Sequence, residues 1–106
     1  MSKKAIFPGT FDPFTNGHLD IVNRGLKMFD EIVVAIGVHS GKNHLFTLEQ
    51  RTVWLEELFV HDPRVSVIHY EGLTAPFAES IGAQFILRGL RTTQDFTYEQ
   101  QIAYVN

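Results

Sequence analysis

The chain has no cysteine among its 106 residues. A disulfide framework and a thiolate nucleophile are both excluded, and the lack leans only slightly toward a reducing compartment. No long apolar run is present either. The longest, around Ile32 to Val38, falls far short of the roughly 20 residues that cross a bilayer. Lys3 and Lys4 are followed only by Ala5-Ile6-Phe7 before Pro8, too little for a secretory apolar segment. Neither charge sign dominates: the net charge is −3, so no polybasic face for nucleic acid or membrane is expected. Repeats, low-complexity tracts and linkers are also missing. These absences predict a soluble, cytoplasmic protein with no nucleic-acid or membrane partner. What remains is ordinary for a globular domain, 44% hydrophobic and 20% charged. The length suffices for one core, so residues 1–106 are expected to form a single domain.

Apolar patterning predicts alternating strands and helices. Lys4 to Phe7 reads as a strand. Leu19, Val22, Leu26 and Phe29 step by helical intervals, and Thr15 or Asn16 can cap the helix. Ile32 to Val38 is a β-branched run of the kind buried on both faces of a parallel sheet. Thr47-Leu48-Glu49-Gln50 resembles a capping box. The helix it opens carries Leu48, Arg51, Leu55 and Leu58 on one side, widened by Trp54 and Phe59, and Asp62-Pro63 ends it. Val65 to Tyr70 reads as a third strand and Gln84 to Leu87 as a fourth. Between them Thr74 caps a short helix that ends near Ile81, with Gly82 just beyond. From Asp95 the spacing of Tyr98, Ile102 and Val105 predicts another helix. The alternation argues for an α/β fold, a Rossmann-like doubly wound parallel sheet flanked by helices. Ligands in such folds bind at the carboxyl ends of the strands.

The stretch Phe7-Pro8-Gly9-Thr10-Phe11-Asp12-Pro13-Phe14-Thr15-Asn16-Gly17-His18 joins the first strand to the first helix. A glycine-containing turn into a helix start offers free N–H groups and the positive dipole end, which suit phosphate. Gly9 and Gly17, lacking Cβ, let backbone approach a ligand. His18 falls in the first helical turn, where its imidazole can donate to phosphate oxygens and Thr10 can contact them. The plainer reading is a capped helix whose histidine only assists the cap. Lys42, in the loop after the second strand, can swing onto a phosphate as a point charge, although a lone loop lysine is more often just solvated. Arg88 and Arg91 flank Gly89-Leu90 at the end of the fourth strand and suit bidentate phosphate recognition, or are simply a basic turn. His39 and His44 have no carboxylate at metal-ligand spacing, and neither they nor His61 and His69 are assigned a role.

Thr15-Asn16-Gly17-His18 resembles the T/H-x-G-H signature of the nucleotidyltransferase superfamily. The longer run from Pro8 to His18, with Arg88 to Arg91 followed by Asp95-Phe96 and Tyr98-Glu99, resembles the phosphopantetheine adenylyltransferase family. The resemblance covers Lys3 to Asn106. It implies adenylyl transfer from ATP to 4′-phosphopantetheine, giving dephospho-coenzyme A and pyrophosphate in coenzyme A biosynthesis. It implies that His18 is catalytic and stabilises the transition state. Thr10, Lys42, Thr74 and Arg88 would bind the pantetheine substrate. Thr10, Phe11, His18, Gly89, Leu90, Arg91 and Glu99 would bind ATP. Mg²⁺ would arrive with the triphosphate rather than on a protein-built site. A homo-oligomer, hexameric in the family, is implied as well. So is a further C-terminal segment with a serine-rich phosphate loop, which this sequence lacks.

Two other readings compete. One is a nucleotidyltransferase for another small phosphate, glycerol phosphate with CTP or nicotinate mononucleotide with ATP; the block from Arg88 to Glu99 argues against it. The other is a non-catalytic nucleotide-binding fragment. Nucleotide binding compared with pyrophosphate release separates them.

Overall fold

The computed structural model describes residues 2–38 and 43–89, and the backbone of 96–100. Strand β1 spans Lys4–Gly9, helix α1 Asn16–Gly25, β2 Glu31–Gly37, α2 Leu48–Leu58, β3 Val65–Tyr70, α3 Thr74–Ser80, β4 Phe85–Gly89 and β5 Phe96–Gln100. The sheet order is β3-β2-β1-β4-β5. The first four strands run parallel, Ile6 lying opposite Val33 on one side and Ile86 on the other. The chain steps outward from β1 through β2 to β3, then crosses back to place β4 on the far side of β1. The direction of winding therefore reverses between β1 and β4, the place at which folds of this kind bind ligands, outside the strands' carboxyl ends.

Burial explains the winding. Ala5, Phe7, Ile32, Val34, Ile36 and Leu87 point to one face, where Val22 of α1, Leu55 of α2 and Phe59 cover them. Ile6, Ala35 and Ile86 point to the other and meet Ala78 of α3. The β-branched run in β2 is buried from Ile32 to Gly37, as a strand covered on both faces requires.

The helices start where side chains can satisfy the first N–H groups. Thr47 and Gln50 form the expected capping box, Thr47 Oγ1 accepting from Gln50 N and Gln50 Oε1 accepting from Thr47 N. Gly82 follows α3 at φ +76°, a conformation glycine adopts without a Cβ penalty. Three expectations need correction. Helix α1 stops at Gly25, and Leu26 is its C-cap, so Phe29 is buried from the following turn rather than from the helix. The N-cap of α3 is Leu73, without a side-chain cap bond. Thr74 is the first helical residue, and its hydroxyl instead lies 2.7 Å from that of Tyr70.

The largest correction is β5. Residues 96–100 form a strand antiparallel to β4, not the helix that the spacing of Tyr98, Ile102 and Val105 predicts. Phe96-Thr97-Tyr98 is aromatic and β-branched, and the alternation of period two wins over the helical spacing once β4 offers an open edge. Ile102 and Val105 lie outside the described residues.

Candidate functional site at the β1–α1 turn

The sequence from Thr10 to Thr15 crosses the carboxyl edge of the sheet and delivers its chain to α1. Phe11 takes φ +51°, a left-handed backbone that costs a non-glycine residue about 1–3 kcal/mol. Its ring offsets that cost by burial, being 4% exposed, and by edge contacts with Phe7 and Phe14, each at 5.1 Å between centroids. Such pairs contribute about 0.5–1.5 kcal/mol each. A Cβ on Gly9 would come within 2.8 Å of the Phe11 ring. The bare Cα of Gly9 is thus filled by the protein's own phenyl, not held open for a ligand. At Gly17 a Cβ would meet only Thr15 Oγ1 at 3.6 Å, so that surface beside His18 is open.

Thr15 is the N-cap of α1, and His18 occupies the third helical position, where a capping box usually has Glu or Gln. Thr15 Oγ1 accepts from His18 N at 3.3 Å, and His18 Nδ1 accepts from Thr15 N at 2.9 Å. A backbone N–H can only donate, so Nδ1 is the unprotonated nitrogen and the neutral ring carries its hydrogen on Nε2. The rings of Phe11 and Phe14 stand 5.1 and 5.2 Å from the imidazole, with Phe7 at 6.1 Å. Burial among them pushes the His18 pKa below its ordinary 6.5, which keeps the ring neutral near pH 7. The plainer sequence reading, a histidine that assists the cap, is what the geometry shows, and it occupies only one side of the ring. One nitrogen serves the cap, and the other is left as a fixed N–H donor with no protein partner among the described residues.

Next to β1 in the sheet, β4 ends at Arg88 and Gly89, both exposed. A Cβ on Gly89 would overlap Ile21 Cδ1 of α1. Gly89 is thus what lets the end of β4 lie against α1, close to the helix that carries His18. Thr74 sits past the end of β3 on the same edge of the sheet. Lys42, Leu90 and Arg91 lie outside the described residues. Glu99 is in β5 opposite Ile86, and its side chain is likewise outside the description.

The parts that two residues play in holding the loop escaped the sequence reading. Arg51, taken there as part of an apolar helix face, is 4% exposed and is the charged residue buried among the described ones. Its Nη1 donates to the Thr10 carbonyl at 2.8 Å, and its Nε to the carbonyls of Phe46 and Thr47 at 3.2 and 3.3 Å. Asp12 accepts from Leu45 N and Phe46 N at 2.7 and 2.8 Å, and His44 Nδ1 lies 3.4 Å from it. Burial alone would raise the Asp12 carboxyl. The two N–H groups outweigh it, with Arg51 and His44 adding, and hold the pKa below the usual 3.8. A signal was present in the sequence, an arginine on an otherwise apolar stripe. The spacing gave no hint of its partner 41 residues away.

Asp12, the loop's own carboxylate, has each oxygen engaged by a backbone N–H group. Among the described residues no three His, Cys, Asp or Glu side chains converge as a metal site. Among those residues, too, no helix is long and apolar enough to cross a membrane.

Comparison with known proteins locates the chain. A family model described as Cytidylyltransferase-like matches residues 6–106. Phosphopantetheine adenylyltransferase of Flavobacterium johnsoniae is 56% identical over 98% of this chain and 68% of the relative. The same-named proteins of Flavobacterium psychrophilum and Bacteroides thetaiotaomicron are 53% and 49% identical, each over 98% of this chain and 69% of the relative. The chain thus spans about two thirds of their length. Among solved structures, the bifunctional NMN adenylyltransferase/ADP ribose pyrophosphatase of Francisella tularensis superposes with a TM-score of 0.56. It is 22% identical and covers 76% of this chain and 25% of its own, a likeness of fold.

Proposed function

We propose, for a chain that belongs to the phosphopantetheine adenylyltransferase family, that it transfers an adenylyl group from ATP to 4′-phosphopantetheine in coenzyme A biosynthesis. A phosphate oxygen of phosphopantetheine attacks the α-phosphorus of ATP. The new P–O bond forms as the bond to the β-phosphate bridging oxygen breaks, and pyrophosphate leaves with that electron pair. No covalent enzyme intermediate is needed. Catalysis of this kind rests on positioning and on stabilising charge at the phosphorus.

The observation that carries the reading is the Thr15–His18 pair. Nδ1 is held by Thr15 N–H, so the neutral imidazole presents Nε2–H. Such a donor serves an α-phosphate oxygen as charge builds there, and it needs no proton exchange to do so. The site has a phosphate-friendly frame as well, a helix start at the sheet's winding reversal with Arg88 at the end of the neighbouring strand.

The remaining assignments follow the family resemblance. Thr10, Lys42, Thr74 and Arg88 bind the pantetheine side. Thr10, Phe11, His18, Gly89, Leu90, Arg91 and Glu99 bind ATP. Mg²⁺ comes with the triphosphate and shields its charge. Residues 1–106 act as one domain in the cytoplasm, as length and composition suggest, and the resemblance implies that the domain is a nucleotidyltransferase within a hexamer.

The test is pyrophosphate release from ATP and phosphopantetheine. It is run on the 106-residue chain and on the same chain extended with the matching C-terminal segment of the Flavobacterium johnsoniae relative. Release by either that depends on both substrates is expected. No release by either, or equal release when CTP replaces ATP or glycerol phosphate replaces phosphopantetheine, overturns the reading.

A further inference from the structure

We infer that Arg51 is a positioning residue for the reaction: from α2 it holds the Thr10 carbonyl and thereby sets the Thr10–Phe11 turn against His18. This deepens the proposed function and rests on it.

The connection is continuous. Arg51 Nη1 donates to Thr10 O at 2.8 Å, and the next residue is Phe11, left-handed at φ +51°. The Phe11 ring stands 5.1 Å from the His18 imidazole at an interplanar angle of 82°. Moving the Thr10 peptide rotates Phe11, and moving Phe11 removes the wall on which the imidazole rests. The hold is reciprocal. Asp12, two residues after Thr10, reaches the opposite way and accepts the N–H groups of Leu45 and Phe46, just ahead of α2. The loop's carboxylate grips the approach to α2 while the guanidinium of α2 grips the loop, so neither segment slides without breaking the other's bonds.

A guanidinium is an expensive way to fill this position. Burying a charge carries a large desolvation cost, and apolar replacements of buried charges are often neutral or stabilising. Leu55, one turn further along α2, shows that an apolar side chain packs well on this face, at 1% exposed. What an apolar side chain cannot do is bind three carbonyls in fixed directions. Those of Phe46, Thr47 and Thr10 lie within reach of one planar fork. A lysine keeps the charge and loses the fork.

The experiment compares wild type, Arg51→Met and Arg51→Lys, all in the extended chain. It reads three things: the thermal melt, the ¹⁵N resonances of the His18 ring, and steady-state pyrophosphate release. In the folded Arg51→Met variant the account expects kcat to fall by up to about 10²-fold, the scale of a small misplacement, with both KM values little changed. The His18 ring resonances shift in the same variant, and Arg51→Lys falls between it and wild type. Folded variants with wild-type kcat and unmoved His18 resonances overturn the inference. So does failure of both variants to fold, since Arg51 would then be a structural residue only. If the wild type itself releases no pyrophosphate, the proposed function fails, and the His18 resonances alone decide the role of Arg51.

Discussion

Thr15 N–H donates to His18 Nδ1 at 2.9 Å, so a helix cap decides which nitrogen of the imidazole carries the proton. The T-x-G-H spacing is what a capping box requires: N-cap and third helical position, three residues apart. Glutamate would close the box equally well but would set a negative charge where the proposed function puts a phosphate. Histidine closes it with one nitrogen and keeps the other as a donor.

The first prediction concerns the titration of His18. Its folded pKa lies below 6.5 because burial disfavours the cation, and protonation also costs the Nδ1 bond to Thr15 N–H. The unfolded chain therefore binds more protons in that range. This residue's contribution to stability is complete above pH 6.5 and is lost as pH falls through the folded pKa. A ¹⁵N-detected titration of the ring should give a value below 6.5, with the neutral form protonated on Nε2. A higher value, or a proton on Nδ1, contradicts it.

The cap itself is testable. Thr15→Ala removes the hydroxyl that accepts from His18 N and should cost about 1 kcal/mol in denaturant unfolding, while Thr15→Ser should cost much less. An alanine variant as stable as wild type shows that the cap contributes nothing.

Gly89→Ala should destabilise by about 1–3 kcal/mol through overlap with Ile21 Cδ1. Ile21→Val removes that methyl, so the double variant should recover part of the loss. Strict additivity in the double-mutant cycle rules out the packing explanation.

Much of the fold was legible in the sequence. The bounds of β3 emerged intact because Val65 to Tyr70 is bracketed by Pro63 and Gly72. The Thr47–Gln50 box was readable because capping is local. Where reading stopped, the cause was tertiary. Phe96 to Gln100 is a strand only because β4 has a free edge. Arg51 and Asp12 meet partners 41 and 33 residues away, and no periodicity in either segment records those pairings. At the site, His18 and Thr10 were named from the motif, but the use of Nδ1 in the cap was a matter of geometry. The open space assigned to Gly9 was misjudged because Phe11 folds back onto it.

Arg88 is expected to bind the pantetheine phosphate as a fork. Arg88→Lys keeps the charge and should still lower kcat/KM for phosphopantetheine, chiefly through KM, since two parallel bonds become one. Steady-state kinetics at varied phosphopantetheine check this, and an unchanged kcat/KM means the phosphate is held elsewhere.

The most direct measurement of the central claim is pyrophosphate release by His18→Gln beside His18→Ala in the extended chain. Glutamine at the third helical position still closes the capping box, so it removes the imidazole and spares the helix start. The account predicts that both variants stay folded. The alanine variant, with no donor left at this position, should lose about 10²–10³-fold in turnover, the usual cost of one preorganised donor, and the glutamine variant, whose amide N–H can still donate, should lose less. Turnover near wild type in the folded alanine variant would show that His18 does no catalytic work and contradict the account.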